Sequence, residues 1–310
     1  FKAQILNFGN GIDLTGGFGI DTFFLAQNAE SVIYCERNAY LAEIVSSNFK
    51  AFNQTNCEVY TGDGVDYLQK LDKLDWIFID PARRKQSERV FRLEDCEPNV
   101  IDLKDLFFEK ANQVLIKTAP LLDIQQTLND LNSVKEVHVI SVNNDCKEVL
   151  YLLEKGYSNE TQVFCINLKK DTQEKFTFKF SEERNAVNQY SGPLEYLYEP
   201  NASIMKSGAF KSIASKYGLY KLHQHSHLYT SKELVSEFPG RSFKIKALIH
   251  PDKKSLAKHI KGKANLACRN YPQKVEALKK KLKLKDGGND YLFATTLMDE
   301  KPKLILCEKV

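Results

Sequence analysis

Between about residue 11 and residue 170, short apolar runs alternate with longer stretches in which apolar residues recur every three to four positions. The short runs, 11–14, 31–35, 57–60, 74–79, 113–116, 137–142 and 162–168, have the length and composition of buried strands. The stretches between them predict helices over 18–27, 39–52, 65–71, 103–112 and 122–131. Seven strands with interleaved helices predict an α/β fold built on a doubly wound, largely parallel sheet. Phe176-Thr177-Phe178-Lys179-Phe180 also alternates, and would extend one edge.

Beyond that sheet the pattern changes. Residues 181–190 turn polar, which sets a boundary, and after them the pattern predicts a strand at 194–198, a helix at 203–217 closed by Gly218, and a strand at 219–229. Phe238-Pro239-Gly240 breaks the chain again. The last seventy residues predict strands at 243–249, 264–269, 291–297 and 303–308, with helices at 254–260 and 272–284; Pro272 is expected in the first turn of the latter. Three domains follow, at 1–182, 183–240 and 241–310.

Charge sharpens this division. The 310 residues carry a formal net charge of +4. Residues 241–310 alone hold 18 basic and 7 acidic side chains, a surplus of +11, so the preceding 240 residues are acidic by 7. Such asymmetry points to contact with a polyanion. No apolar run is long enough for a transmembrane helix, so a membrane partner is not expected. The start, Phe1-Lys2-Ala3-Gln4, has neither an initiator Met nor a signal-like apolar segment, as expected of a numbering that begins inside a longer chain. Seven widely spaced cysteines without a CxxC pair fit reduced thiols in a cytoplasmic protein and give no reason to expect a metal.

Candidate chemistry concentrates at the predicted strand ends. The segment Asp13-Leu14-Thr15-Gly16-Gly17-Phe18-Gly19-Ile20-Asp21 joins the first strand to the first helix, and its glycines let a nucleotide-like ligand approach the main chain. A dinucleotide site would not open on a carboxylate, which suits an ammonium group better than a phosphate. Glu36 closes the second strand, where doubly wound folds place an acid on ribose hydroxyls. Asp63 follows the third strand and could accept from an adenine amino group. The fourth ends in Ile79-Asp80-Pro81-Ala82-Arg83-Arg84. All four acids fall at the carboxyl ends of strands, where ligands of open α/β sheets bind.

Asp13-x-Thr15-x-Gly17-x-Gly19, Glu36, Asp63 and Asp80-Pro81-Ala82-Arg83 resemble, in order, motifs I to IV of class I S-adenosylmethionine-dependent methyltransferases, over roughly residues 5–170. The resemblance implies a seven-stranded, Rossmann-like methyltransferase sheet and S-adenosyl-L-methionine as cofactor. It implies that Asp13, Thr15, Gly17, Gly19 and Asp21 serve the methionine end, Glu36 the ribose and Asp63 the adenine, with Asp80 beside the transferred methyl. Downstream, Tyr198-Glu199-Pro200-Asn201, Phe238-Pro239-Gly240-Arg241, Ala264-Asn265-Leu266-Ala267-Cys268-Arg269-Asn270 and Asp286-Gly287-Gly288 are similar to bacterial methyltransferases with a ferredoxin-like unit and a THUMP-like C-terminal domain. THUMP modules bind RNA, so the resemblance implies an RNA partner, tRNA or rRNA. Better-known THUMP enzymes place that module first, the reverse of the order here.

Motif IV departs from its relatives. Amino-directed nucleic-acid methyltransferases carry two prolines and an aromatic, whereas this chain has Ala82 and Arg83. Asp-Pro-Ala-Arg is closer to the Asp-Pro-Pro-Arg of uridine-C5 enzymes, but the place of their cysteine nucleophile reads Ile116-Lys117-Thr118-Ala119-Pro120. Direct transfer to a nitrogen or another heteroatom remains, with Asp80 orienting the acceptor or taking its proton and Lys117 at the same cleft as catalytic candidates. Cys96 reads as a packed thiol.

Arg83 and Arg84 after motif IV, and Lys279, Lys280 and Lys283 on the lysine-rich last helix, are candidate RNA contacts. His223, His225 and His227 alternate and would share one face of a strand, read as a polar exposed face in preference to a metal site. Two other functions stay open: a methyltransferase for a protein or small-molecule amine, with the C-terminal units as a dimerisation or lid module, and a non-catalytic cofactor-binding RNA adaptor.

Overall fold

A computed structural model describes residues 1–83 and 92–310. The chain divides into two compact units, Phe1–Ile140 with Cys146–Phe164, and Ser141–Asp145 with Cys165–Val310.

The first unit is built on β1 (Asn10–Asp13), β2 (Ser31–Glu36), β3 (Cys57–Thr61), β4 (Leu74–Ile79), a two-residue pair β5 (Ala82–Arg83) and β6 (Cys96–Glu97), β7 (Ala111–Thr118), β8 (Val134–Val142) and β9 (Asp145–Glu154). Its helices are α1 (Ile20–Ala26), α2 (Ala39–Ala51), α3 (Gly64–Lys70), α4 (Lys104–Lys110) and α5 (Ile124–Leu131). Within this unit the sheet, which has nine strands among the described residues, runs β8-β9-β7-β4-β1-β2-β3. Pairs β3–β2, β2–β1, β1–β4 and β4–β7 are parallel, and β9 lies antiparallel beside β7. The order reverses between β1 and β4, so the crevice at their carboxyl ends is the switch point where open α/β sheets bind ligands. Ile12, Val32, Ile77, Val114 and Leu115 are wholly buried, as strands covered on both faces require.

β9 is not predicted by the sequence pattern. It follows β8 after Asn143-Asn144, both in the left-handed region (φ 50° and 66°), the geometry of a tight hairpin turn.

β10 (Gln162–Leu168) leads into the second unit, with β11 (Gln173–Lys179) beside it. Alternating Phe176 and Phe178 are buried there, as the edge-strand expectation requires. After α6 (Phe180–Asn185), a seven-stranded sheet runs β13 (Tyr220–His223), β14 (Ser226–Ser231), β12 (Tyr196–Pro200), β15 (Gly240–Ile249), β18 (Pro302–Lys309), β17 (Asp290–Thr296), β16 (Asn265–Arg269). The helices of this stretch are α7 (Ala202–Ser207), α8 (Ser212–Tyr217), α9 (Lys253–Ala257) and α10 (Val275–Leu282).

Three local expectations are corrected. The helix expected over 203–217 is two helices, because Gly208 takes φ 79° and ends α7. The strand expected over 219–229 is a hairpin turning at Gln224-His225. His223, His225 and His227 therefore do not share a strand face: His223 is buried against Glu300 and Asn270, and His227 stacks on Phe210. Pro272 precedes α10 and is not in its first turn. No disulfide joins any of the seven cysteines. Among the described residues no helix is long and apolar enough to cross a membrane, and no group of three or more His, Cys, Asp or Glu side chains is arranged to hold a metal.

Candidate active site

At the carboxyl ends of β1–β4 a cavity of about 280 Å³ is lined by Thr15, Gly17, Glu36, Asp63, Gly64 and Asp80, with Arg37, Glu97 and Pro98 at its side. Four consecutive strand–helix connections thus converge on one space.

The loop after β1 combines permissive glycine backbone with ties from neighbouring side chains. Gly17 (φ 54°) donates its N–H to Glu36 Oε2 at 3.1 Å, and its carbonyl accepts the Tyr34 hydroxyl at 2.6 Å. A Cβ on Gly17 would meet only Thr15 O, at 3.8 Å, so the space beside this residue is open. A Cβ on Gly16 would instead lie 2.1 Å from the Tyr34 ring, and one on Gly19 2.5 Å from Val45. Gly16 and Gly19 therefore permit close packing, while Gly17 presents main chain to the cavity.

Asp13 is not part of the lining. It is 1% exposed; Oδ1 accepts the Thr15 N–H at 3.0 Å and Oδ2 the Thr22 hydroxyl at 2.6 Å. Burial pushes its carboxyl up to about 7, against the pull of these two hydrogen bonds. Its visible work is to pin the loop. Thr15 continues the tie, because its hydroxyl accepts the Asp80 N–H at 2.7 Å and so links the loop to the end of β4.

Glu36 is held by two main-chain donors, Gly17 and Asn38 (2.7 Å to Oε1). Asp63 caps α3, accepting from Val65 and Asp66 N–H at 2.8 and 3.1 Å. Arg37 bridges Asp63 (Nε, 2.8 Å) and Glu97 (Nη1, 2.9 Å). Burial works against ionised Asp63, yet these hydrogen bonds and the guanidinium hold its carboxyl below the usual range. Arg37 and Glu97 are cavity residues that the sequence reading missed. The one available signal was that Arg37 directly follows the strand-end acid.

Asp80 meets Lys117, which extends from β7, at 2.6 Å, and Lys117 also pairs with Asp21 at 2.9 Å. Asp21 in turn holds Lys2 at 2.7 Å, and Lys2 holds Glu148 at 3.0 Å. Burial disfavours the Lys117 ammonium, but the Asp80 and Asp21 carboxylates outweigh it and keep the group protonated far above neutrality. Asp21, expected at the cofactor, is thus turned toward the two lysines. Gly19 caps α1 beneath the loop and likewise lies outside the lining.

Of the candidate RNA contacts, Arg84 lies outside the described residues, and Arg83 is described only as backbone, paired with Cys96. Lys279 is engaged by Asp286 at 2.8 Å and Glu276 at 3.4 Å, whereas Lys280 and Lys283 are exposed.

Comparison with known proteins bears on the family and the fold. The crystal structure of a candidate methyltransferase from Porphyromonas gingivalis W83 superposes with a TM-score of 0.93, at 35% identity, covering 100% of this chain and 79% of that one. This chain belongs to the same family, the S-adenosylmethionine-dependent methyltransferases. Two uncharacterised members of the methyltransferase family from Mycobacterium tuberculosis, strains CDC 1551 and H37Rv, are 22% identical over 228 residues, which is 71% of this chain and 60% of theirs. The chain therefore spans less than two thirds of the length of these curated relatives. Family models match residues 196–239 as a ferredoxin-like domain and 240–309 as a THUMP-like domain. The chain thus carries both small modules after the strands of the first unit.

Proposed function

We propose that this protein transfers a methyl group from S-adenosyl-L-methionine to a nitrogen or other heteroatom of a structured RNA, tRNA or rRNA, in the cytoplasm. The observation that carries the reading is the convergence of Thr15, Gly17, Glu36, Asp63 and Asp80 on one cavity at the switch point of the sheet. The open main chain at Gly17 and the anchored Glu36 carboxylate suit a ligand with an amino-acid end and ribose hydroxyls. In this reading Glu36 takes the ribose, Asp63 and Gly64 border the adenine, and the loop from Thr15 to Gly17 borders the methionine end. Asp13, and Gly19 as the cap of α1, act from beneath by fixing that loop.

S-adenosylmethionine supplies a methyl already activated on sulfonium sulfur, so the protein has chiefly to align the acceptor and receive its proton. Asp80 does so at the cavity edge, where its carboxylate orients the acceptor N–H or O–H. Lys117, fixed between Asp80 and Asp21, sets the direction of that carboxylate.

The RNA reading rests on the +11 surplus of residues 241–310 and on the exposed lysines of the THUMP-like module, Lys280 and Lys283 among them. We assign three functional parts: methyl donor, 1–182; connecting ferredoxin-like unit, 183–240; basic grip, 241–310. Nucleoside mass spectrometry of RNA from cells with and without the protein tests this. One methylated nucleoside disappears from tRNA or rRNA; unchanged nucleosides in every RNA class would refute the RNA assignment.

A further inference from the structure

The second unit has a cavity of its own, about 810 Å³, which the methyl-transfer reading leaves unused. Its walls come from stretches distant in sequence: the Asn143-Asn144 turn, the end of β10 with Lys169 and Lys170, the loop through Leu234 and Phe238, and the ends of β15 and β18 with Arg241 and Lys309.

Its electrostatics are one-sided. Glu174 is the one carboxylate side chain among the described lining residues, and it is fully engaged, by Lys169, Asn167 Nδ2 at 2.8 Å and Asn201 Nδ2 at 3.0 Å. Arg241 binds the buried Glu199 (Nε, 2.8 Å), but that carboxylate is shared with Arg269 at 2.6 Å, so two guanidinium groups divide one negative charge. Lys170 and Lys309 are exposed and have no ion pair among the described residues.

The wall is also rigid. Asn167 and Asn201 are each 1% exposed; Asn144 N–H donates to Asn167 Oδ1, and Asn144 Oδ1 accepts the Ala202 N–H, both at 2.8 Å. Phe238 packs on Tyr198 and Tyr217 at the floor, and Leu234 stands exposed at the rim. Cations, amides and an apolar edge on a fixed frame match the phosphates and the base faces of a nucleotide strand. Its volume lies within the roughly 300–1,000 Å³ of small-ligand sites, which limits the occupant to a short segment.

We infer that this cleft grips a short single-stranded segment of the RNA substrate, with Lys170, Lys309 and Arg241 on its phosphates. The inference rests on the RNA reading above and names the part of the RNA that the second unit holds.

The test is the affinity of the full chain for a labelled single-stranded oligoribonucleotide and for bulk tRNA across a salt series. Lys170→Glu with Lys309→Glu weakens oligonucleotide binding about tenfold or more and flattens the salt slope by about 1.4, for two lost phosphate contacts. Lys170→Gln with Lys309→Gln gives a smaller loss in the same direction, and Lys280→Glu with Lys281→Glu on α10 has the lesser effect. Wild-type binding of the oligonucleotide that survives the cleft reversal within about twofold overturns the assignment. So does a loss on reversal with none on neutralisation, which marks general repulsion, or wild-type binding of tRNA without the oligonucleotide. Failure of the wild type to bind either RNA refutes the RNA reading itself, and this assignment with it.

Discussion

Asp13 and Lys117 show how burial and partners divide the work among neighbouring charges. The folded-state carboxyl of Asp13, raised to about 7 from an ordinary 3.8, favours the protonated form. Folding therefore binds a proton between those values, and the resulting stability is complete below about pH 4 and is lost as pH rises to 7. Urea unfolding of Asp13→Asn from pH 4 to 8 should show a shallower decline than wild type; parallel curves would exclude Asp13 as the source. Lys117 touches Asp80 but does not line the cavity. Lys117→Met is expected to lower methyl transfer about 100-fold or more while calorimetric binding of S-adenosylmethionine persists; equal loss of both would place Lys117 at the cofactor. The place of Glu36, Asp63 and Asp80 at the cavity was legible because strand ends in this topology meet at the switch-point crevice. Where Asp13 and Asp21 turn was not legible, since it depends on Thr22, Lys2 and Lys117, whose approach only the fold creates. Arg37 and Glu97 meet across 60 positions, and nothing local announces that contact.

The connections between elements carry the geometry of the site. Gly64 opens α3 where a Cβ would lie 2.5 Å from Leu14 O, in the loop that borders the cavity. Gly64→Ala should destabilise the protein by about 1–3 kcal/mol in chemical denaturation and weaken cofactor binding; a wild-type midpoint would show that the loop yields freely. Asp63 both caps α3 and pairs with Arg37. Asp63→Ala loses the cap, about 1 kcal/mol, whereas Asp63→Asn keeps it. Matching unfolding midpoints for the two variants would deny the cap its role. Most elements followed from periodicity, including the buried strands of the first sheet. β9 escaped because its signal lies in the turn, where Asn143-Asn144 accept positive φ, and Leu150–Leu153 read equally as helix or strand. The split at Gly208 escaped because a single glycine is tolerated within a helical pattern.

Taken whole, the chain separates an acidic sheet unit from a basic C-terminal module, and its net charge of +4 conceals that separation. The sequence made the charge division visible. The cleft at Lys170, Arg241 and Lys309 was hidden, because its walls come from five separate segments. The central claim is methyl transfer from S-adenosylmethionine to RNA through Asp80. It is tested most directly by incubating the full chain with methyl-labelled S-adenosylmethionine and bulk cellular RNA, wild type beside Asp80→Ala. Label in RNA with the wild type, lost with Asp80→Ala while cofactor binding is retained, is the predicted result. No label in RNA with the wild type, or undiminished label with Asp80→Ala, would contradict the account.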